Sequence, residues 1–385
     1  MRYVVLSSGM MGSAAAFDLA TADKSNEVIL ADLHLEAAER SARAIGPNVH
    51  PRQIDANNKE DMISLFRGGD VIFSAAPYSL NLQVARAAIE AEVHMCDLGG
   101  SNDILEQQLA LSEEARQRDV TIIPNCGLAP GLINILAVEG FRRFDTVDSI
   151  RLRVGGLPQN PRPPLFYQIT FSVEGLLNEY LEPVDVIRGG SLRKVEPLSD
   201  LEDIEFPSPF GRLEAFNTSG GISSLPRLLR GKVKDLDYKT IRYRGHCEKI
   251  KTLVDLGFAS AEPLVVGANV RTARELFAEL LRKKLDFKDR DVVLARATIV
   301  GTEGKLRKTL VYELIDHYDV ATTMTAMMRM TAFPTSIIAQ MLAQGLITRR
   351  GVFPPEEIVP GEPLIRELSK RNIGITEQLT ETPRG

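Results

Sequence analysis

The stretch VVLSSGMMGSAAAFDLA, residues 4–20, decides how the first part of this chain is read. An apolar run, Val4–Leu6, gives way to small residues and then to an alanine-rich segment, the order of a strand, a tight turn and a helix. Turns that receive the pyrophosphate of a dinucleotide carry Gly-x-Gly-x-x-Gly at this junction. Here the three positions read Ser7, Gly9 and Gly12. Gly9 puts no side chain in the way of a pyrophosphate, and Gly12 lets the helix approach the strand. The helix start, with Met10 and Met11, offers free N–H groups and a positive dipole end. Ser7 stands where the tight turn normally has glycine, and a small residue serves there if its backbone angles are ordinary. Asp32 lies 20 residues beyond Gly12, at the end of the second strand. A carboxylate there accepts both ribose hydroxyls and repels a 2′-phosphate. Positions 33–35 are Leu, His and Leu, so no cation waits for that phosphate. NAD is therefore expected over NADP.

Outward from this motif, short apolar runs alternate with amphipathic segments. Val28–Ala31 precedes HLEAAERSARAIG, Val71–Ala75 precedes SLNLQVARAAIEA, and Val93–Cys96 precedes ILEQQLALSEEARQR, after which comes Val120–Ile123. That alternation predicts a Rossmann-type α/β domain on a parallel sheet. After Asp148 the runs lengthen and Pro/Gly clusters appear (GGLPQNPRPP, EFPSPFG), the texture of a second α+β domain on a mixed sheet. From Val320 to Leu346 the pattern turns helical again, with a Pro-rich tail beyond it. The expected division is 1–127 with 321–385 for the dinucleotide-binding domain, and 128–320 for the substrate and dimerisation domain.

At 385 residues the chain is too long for one ordinary core, and 44% hydrophobic with 25% charged residues is a globular composition. A net charge of −5 weighs against nucleic-acid or membrane-surface binding. No apolar run approaches a membrane span, and the N-terminus enters a strand pattern directly, with no leader. The three cysteines and five histidines do not cluster, so no metal is expected, and the protein reads as reduced and cytoplasmic.

Two further stretches reach the carboxyl edge of the expected sheet. FSAAPYS (residues 73–79) supplies Ala75, Ala76 and Pro77 toward a cofactor and Tyr78 toward a substrate. PNCGLAPGLINIL (124–136) supplies Asn125, Gly127, Ala129 and Gly131 toward the cofactor. Cys126 has no base marked near it in sequence, which disfavours a thiol nucleophile.

The stretch HMCDLGGSNDILEQQLALSEEARQRDVTIIPNCGLAPGLINILA resembles the saccharopine dehydrogenase family, in particular its lysine dehydrogenase branch. The resemblance continues through LFYQITFSVEGLLNEY, YKTIRYRGHCEKIKTLVDLGF and MTAFPTSIIAQMLAQG, nearly the whole chain. It implies C-terminal helices that return to the first domain, homodimers, and hydride transfer between a nicotinamide and the carbon of a C–N bond in an amino acid.

Oxidising an amine needs a base for its proton, and a substrate carboxylate needs cationic or hydroxyl donors. Asp97, ending the fifth strand, is expected to hold the amine or relay its proton; the other reading is a cap for the loop DLGGSND. Glu174, opening the helix VEGLLNEY, stands near where the resemblance implies a basic residue in saccharopine-forming members, and an acid there suits an amine-ended substrate; the other reading is a helix-start glutamate that matches the dipole. Asn217 and Thr218 resemble the family's carboxylate-binding segment, though a plain turn before the glycines would use the same letters, and Tyr167 falls in the shared stretches. Alternation puts Thr240 and Arg242 on one strand face, with Arg242 as a carboxylate clamp. His246, at a helix start where its pKa should fall, is a candidate base; a structural histidine is the alternative. The function expected is NAD-dependent oxidation of the ε-amine of L-lysine to 2-aminoadipate 6-semialdehyde. A saccharopine- or carboxynorspermidine-type reductase and an inactive NAD-binding sensor are the alternatives.

Overall fold

In the computed structural model, which describes residues 1–266, 269–287 and 289–383, two compact units form. The first comprises Met1–Glu139 and Met328–Gly374, and the second Gly140–Met327 and Ile375–Gly385. These bounds differ from the expected ones. The helix Ile133–Phe141 stays largely with the first unit, and residues 375–383 go to the second. The reason is pairing: Ile375–Pro383 is a strand that runs antiparallel to Leu306–His317 from Leu306↔Pro383 to Leu314↔Ile375.

The first unit carries a seven-stranded sheet. In spatial order its strands are Gly351–Val352, Thr121–Ile123, His94–Asp97, Val71–Ser74, Arg2–Leu6, Glu27–Asp32 and Val49–Gln53, every pair parallel. Arg2–Leu6 lies between the second strand and Val71–Ser74, so the order reverses beside it. This is the switch point at which doubly wound sheets hold ligands. Parallel strands buried on both faces explain the near-continuous apolar runs, such as Tyr3–Leu6 and Val71–Phe73, all at 1% exposure or less. The single helix expected over ILEQQLALSEEARQR is two, Asn102–Leu109 and Ser112–Gln117.

The helix Met10–Ala22 follows the first strand through a very close turn. A methyl group on Gly12 would lie 1.8 Å from the Ser7 carbonyl oxygen, so only glycine fits. Ser7 itself has φ 77°, in the left-handed region, which overturns the expectation of ordinary backbone angles. A non-glycine residue there costs about 1 kcal/mol. The turn is held by Ser7 N–H donating to the Ala31 carbonyl at 2.7 Å and Ala75 N–H to the Leu6 carbonyl at 3.0 Å.

The C-terminal helices Ala326–Ala343 and Gly361–Lys370 belong to the elements around this same helix. Asp18, buried on Met10–Ala22, accepts from Arg371 Nε at 2.6 Å and Ser336 Oγ at 2.6 Å. Arg371 also reaches Glu367 at 3.0 Å.

The second unit is built on a nine-stranded sheet. Its main path runs Glu202–Phe206, Gly211–Asn217, Val233–Arg242, Thr146–Pro158, Asp291–Glu303, Leu306–His317, Ile375–Pro383. Val233–Arg242 and Thr146–Pro158 pair in parallel and the remaining pairs are antiparallel, so the sheet is mixed. The hairpin Val184–Arg188/Ser191–Val195 joins Val233–Arg242 through Leu236↔Ile187. One core cluster gathers Leu165, Tyr167, Leu176, Leu177, Tyr180, Phe216 and Ile250 around helices Val173–Glu179 and His246–Asp255. Among the described residues no helix is long and apolar enough to cross a membrane.

Two stability measurements test this reading. Arg371→Met leaves a buried Asp18 short of its counter-charge and should lower the free energy of unfolding in urea by about 3 kcal/mol; an unchanged midpoint would remove the ion pair from the account. Gly12→Ala must push the turn off the strand and should cost at least about 1–3 kcal/mol in the same assay, and a wild-type Tm would contradict the 1.8 Å approach.

Candidate functional site

In the first unit the parallel strands bring their carboxyl ends to one edge, where Ser7, Asp32, Ala75, Asp97 and Asn125 stand at or just past the strand ends. Asp32 is engaged on both oxygens. Ser8 donates to Oδ2 from its N–H at 2.6 Å and its hydroxyl at 2.8 Å, and His34 N–H donates to Oδ1 at 3.0 Å. Burial opposes ionisation, but these hydrogen bonds outweigh it and hold the Asp32 carboxyl below its usual range. The carboxylate is thus anionic, partly exposed and fixed against the turn, with lone pairs left for ribose hydroxyls.

The start of Met10–Ala22 fits phosphate on two counts. No side chain caps the helix at Gly9, and the first turn holds no acidic residue. The space above Gly9 is open: an added methyl group would meet only Ser7 Oγ, at 3.6 Å. Gly9, Met10, Met11, Ala75, Ala76, Pro77 and Ala129 all keep partial or full exposure, as residues that touch a ligand must. Tyr78 is exposed and packs beside Gly100, where a methyl group would lie 2.8 Å from its Cβ. A dinucleotide such as NAD(P) would be held by these residues, and by Asp32 at its ribose.

Four residues expected to face the ligand, Asp97, Asn125, Gly127 and Gly131, are buried instead. Asp97 is fully buried, and its carboxylate accepts from Gly99 N–H at 2.8 Å, Gln108 Nε2 at 2.7 Å and Asn125 N–H at 3.0 Å. Desolvation raises its pKa against those three bonds. It pins the loops after the fifth and sixth strands, and the expected contact with a substrate amine is corrected to this positioning role. Asn125 and Gly131 are buried parts of the same framework. Asn125 has φ 62°, and a methyl group on Gly131 would lie 2.6 Å from the Cys126 carbonyl carbon. Gly127 is also buried, beside Thr331. Among the described residues no group of three or more His, Cys, Asp and Glu side chains is arranged to hold a metal ion.

The second unit holds a separate polar cluster. Strand alternation puts Tyr238, Thr240 and Arg242 on one face, and Phe216 joins them because it pairs with Thr240. Arg242 is 3% exposed, and no described carboxylate forms an ion pair with it. Its Nε donates to the Tyr180 hydroxyl at 3.3 Å, its Nη1 to the Ile241 carbonyl at 3.0 Å, and its guanidinium lies 4.5 Å from the centre of the Tyr167 ring. Thr218 and Thr240 share a hydroxyl hydrogen bond at 2.7 Å. Burial keeps the phenols of Tyr167, Tyr180 and Tyr238 protonated.

His246 is 1% exposed and has no nitrogen to spare. Nδ1 lies 2.9 Å from the Leu165 carbonyl, which can only accept, so Nδ1 carries the proton. Nε2 then accepts from the Tyr180 hydroxyl at 3.0 Å, and the ring stacks on Phe216. Burial, followed by the Arg242 charge, pushes its pKa down to about 3. The direction agrees with the sequence reading, but the cause is desolvation and the ring is no base for a substrate. His246 positions Tyr180.

Two more expectations are corrected. Glu174 is 63% exposed and pairs with Arg282 at 2.7 Å, away from the cluster. Asn217 pairs with Lys239 and so faces the opposite side of the sheet from Thr240, where its Nδ2 donates to Ser199 Oγ at 3.0 Å. The carboxylate that belongs to the cluster is Glu179, at the other end of the helix Val173–Glu179. Burial raises its pKa to about 7 in spite of Arg242. Tyr180 and Tyr238 were also missed; the period of two running through Thr240 and Arg242 was a signal for Tyr238.

Comparison with known proteins now has a geometry to meet. Residues 3–123 match the saccharopine dehydrogenase NADP binding domain, and residues 127–374 the saccharopine dehydrogenase C-terminal domain. A saccharopine dehydrogenase [NADP(+), L-glutamate-forming] of Schizosaccharomyces pombe is 23% identical over 431 residues, 93% of this chain and 94% of that one. The mitochondrial alpha-aminoadipic semialdehyde synthase of Mus musculus is 26% identical over 304 residues, 73% of this chain, and the match spans only 31% of that relative's length. In fold, the chain is similar to apo saccharopine dehydrogenase (L-Glu forming) from Saccharomyces cerevisiae, with TM-score 0.80, 18% identity and coverage of 98% and 99% of the two chains. It is also similar to a homospermidine synthase from Legionella pneumophila in complex with NAD, with TM-score 0.70, 13% identity and coverage of 98% and 91%. The two domain matches together run from residue 3 to residue 374, and the chain belongs to the saccharopine dehydrogenase family.

Proposed function

We propose that this protein is an NAD-dependent oxidoreductase that removes the side-chain amine of L-lysine, forming 2-aminoadipate 6-semialdehyde. The observation that carries the reading is the charge inventory of the second unit's cluster: one buried guanidinium, Arg242, with no described ion-pair partner, and one carboxylate, Glu179. A buried guanidinium without a close ion-pair contact is costly even with Glu179 in the same cluster, so Arg242 suits a ligand that brings a carboxylate. Lysine presents one carboxylate and one terminal ammonium, a match for that pair. Saccharopine presents three carboxylates and would leave two of them without a buried cation in this cluster.

In this reading Arg242 holds the substrate carboxylate, with Tyr180 and the Thr218–Thr240 pair beside it. The phenols surround the chain of the substrate and limit water until the carbon–nitrogen double bond has formed. The bound nicotinamide supplies the acceptor for the hydride that leaves the carbon next to the amine. Water then adds to the imine and ammonia departs, so lysine, NAD⁺ and water give semialdehyde, NADH, ammonium and a proton. Asp32 supports NAD as the partner, because an anionic carboxylate at the end of the second strand would oppose a 2′-phosphate. The names of the family's NADP binding domain and of the fission-yeast relative point the other way, which makes the cofactor a question for titration. A homodimer is part of the proposal.

The second reading, cleavage of saccharopine, draws on the names of the relatives. Both are tested by following nicotinamide reduction with lysine, ornithine and saccharopine, each with NAD and with NADP. Turnover of saccharopine alone would replace the lysine reading.

Two variants sharpen the test. Asp32→Ala loses a charge-assisted hydrogen bond, roughly 1.5–3 kcal/mol, so NAD should bind about ten- to a hundredfold more weakly while NADP improves relative to it. Unchanged NAD affinity would take Asp32 away from the ribose. Glu174→Gln removes only an exposed pair with Arg282 and should leave the KM for lysine within about twofold; a larger rise would return Glu174 to the pocket.

A further inference from the structure

Ser8 lies in the turn between the strand Arg2–Leu6 and the helix Met10–Ala22, at the variable position between Ser7 and Gly9. Its N–H and its hydroxyl both end on one oxygen of Asp32, Oδ2, at 2.6 and 2.8 Å, while His34 N–H takes Oδ1 at 3.0 Å. The terminal torsion of an aspartate is soft when nothing holds it. Here donors on both oxygens fix the carboxylate in direction as well as in place. Ser8 is itself held from elsewhere. The Ser13 hydroxyl donates to the Ser8 carbonyl at 2.8 Å, and Ser41, on the helix Leu35–Ile45, lies 3.0 Å from Ser13 Oγ. Ser13 has one proton and gives it to the carbonyl, so the Ser41 hydroxyl donates to Ser13. The turn is thus tied to two helices without Asp32, and control runs from Ser8 to the carboxylate.

We propose that the Ser8 hydroxyl sets the discrimination between NAD and NADP by fixing the orientation of the Asp32 carboxylate; the inference rests on the cofactor half of the proposed function, which puts Asp32 at the ribose. Ser8 is a positioning residue in this account. Without its hydroxyl the N–H bond to Oδ2 remains, so the carboxylate is loosened and not lost.

The effect is one of position. A ribose 2′-hydroxyl donates to a carboxylate, and a 2′-phosphate is repelled by it. Both effects need the anion to stay at the end of the second strand. A loose aspartate loses rotamer freedom when it meets the hydroxyl, and it can turn aside from a phosphate, so it separates the two cofactors poorly. The kind of donor matters as well. The Ser8 hydroxyl and the two backbone N–H groups are neutral, so they hold the carboxylate without cancelling its charge, as an arginine would. Burial opposes ionisation, yet these bonds keep the carboxyl below its usual range, and it is anionic at neutral pH.

The test is equilibrium binding of NAD and of NADP, by titration calorimetry, to wild type, Ser8→Ala, Ser8→Thr and Asp32→Ala. Ser8→Ala should shift the ratio of the two affinities toward NADP by about tenfold. Ser8→Thr keeps a hydroxyl and should stay within about threefold of the wild-type ratio. Alanine and threonine are both unstrained there, because Ser8, unlike Ser7, lies outside the left-handed region. A general loosening of the turn would weaken both cofactors together and leave their ratio alone. In the Asp32→Ala background, Ser8→Ala should move the ratio by less than about twofold, since the hydroxyl acts through the carboxylate. Carbon-detected NMR titration of Asp32 reads the contact with no cofactor present, and loss of the hydroxyl bond should raise its pKa. An unshifted ratio in Ser8→Ala, or an unmoved Asp32 titration, overturns the proposal, and Asp32 keeps its place at the ribose if Asp32→Ala still relaxes the ratio. An Asp32→Ala ratio equal to that of wild type removes the cofactor reading and the proposal together.

Discussion

A guanidinium that is almost wholly buried cannot shed its proton, and the second unit is arranged around that fact at Arg242. The chain meets part of the cost itself. Tyr180 lends a hydroxyl, Ile241 a carbonyl and Tyr167 the face of its ring. Each helper is in turn fixed: the Tyr180 hydroxyl, accepting from Arg242, donates its own proton onward to His246, whose other nitrogen is tied to the Leu165 carbonyl. The direction of the last two bonds follows from the far end, because the Leu165 carbonyl can only accept and so puts the proton of the neutral ring on Nδ1. Burial and the neighbouring Arg242 charge keep the histidine neutral, the Leu165 carbonyl sets its tautomer, and a residue that looked like a base in the sequence is a support for a tyrosine.

The first unit is governed by a different constraint, the closeness of a helix to the strand before it. Gly12 permits an approach that brings the Ser7 carbonyl within bonding range of any added carbon, and Ser7 pays in backbone strain for closing the turn. Ser8 then faces Asp32, which holds it by two hydrogen bonds. The carboxylate that would meet a ribose is here also a brace for the turn that would carry the phosphates. A serine at the first motif position is tolerated because its neighbours hold the geometry that glycine would adopt freely.

How far the sequence could be read depended on whether a pattern had one solution or two. Continuous apolar runs between amphipathic segments have one, a parallel sheet, but its order, with Gly351–Val352 added at one edge, was not written in them. Alternation along TIR, which also has one solution, placed Thr240 and Arg242 together. The helix VEGLLNEY had two. Its apolar stripe is Val173, Leu176, Leu177 and Tyr180, and at 3.6 residues per turn Glu174 and Glu179 lie about 110° to either side of the stripe. Nothing local says which shoulder turns toward Arg242, and the tertiary packing chose Glu179. Asn217 failed similarly: it precedes Thr218 by one residue, and the strand's period of two sends it to the far face with Lys239. The strand Ile375–Pro383 was hidden because ITEQLTETP is polar at most positions, as an edge strand can be.

Burial by itself would have singled out the wrong groups. Asp97, His246 and Glu179 are all desolvated, and each has a pKa moved away from its ordinary value. What separates them is whether the chain has already used their hydrogen-bonding capacity. Asp97 has three donors from its own fold, and protonating or moving it would release two loops at once. His246 has a partner on each nitrogen. A group satisfied in that way is stabilised in one protonation state and is poorly placed to change it. Glu179 and Arg242 act on each other through their charges with no close ion-pair contact between them, and no described residue donates a hydrogen bond to the Glu179 side chain. A ligand bearing both an anion and a cation is the simplest object that meets both charges, which is the physical content of reading this cluster as one for an amino acid with a second amine.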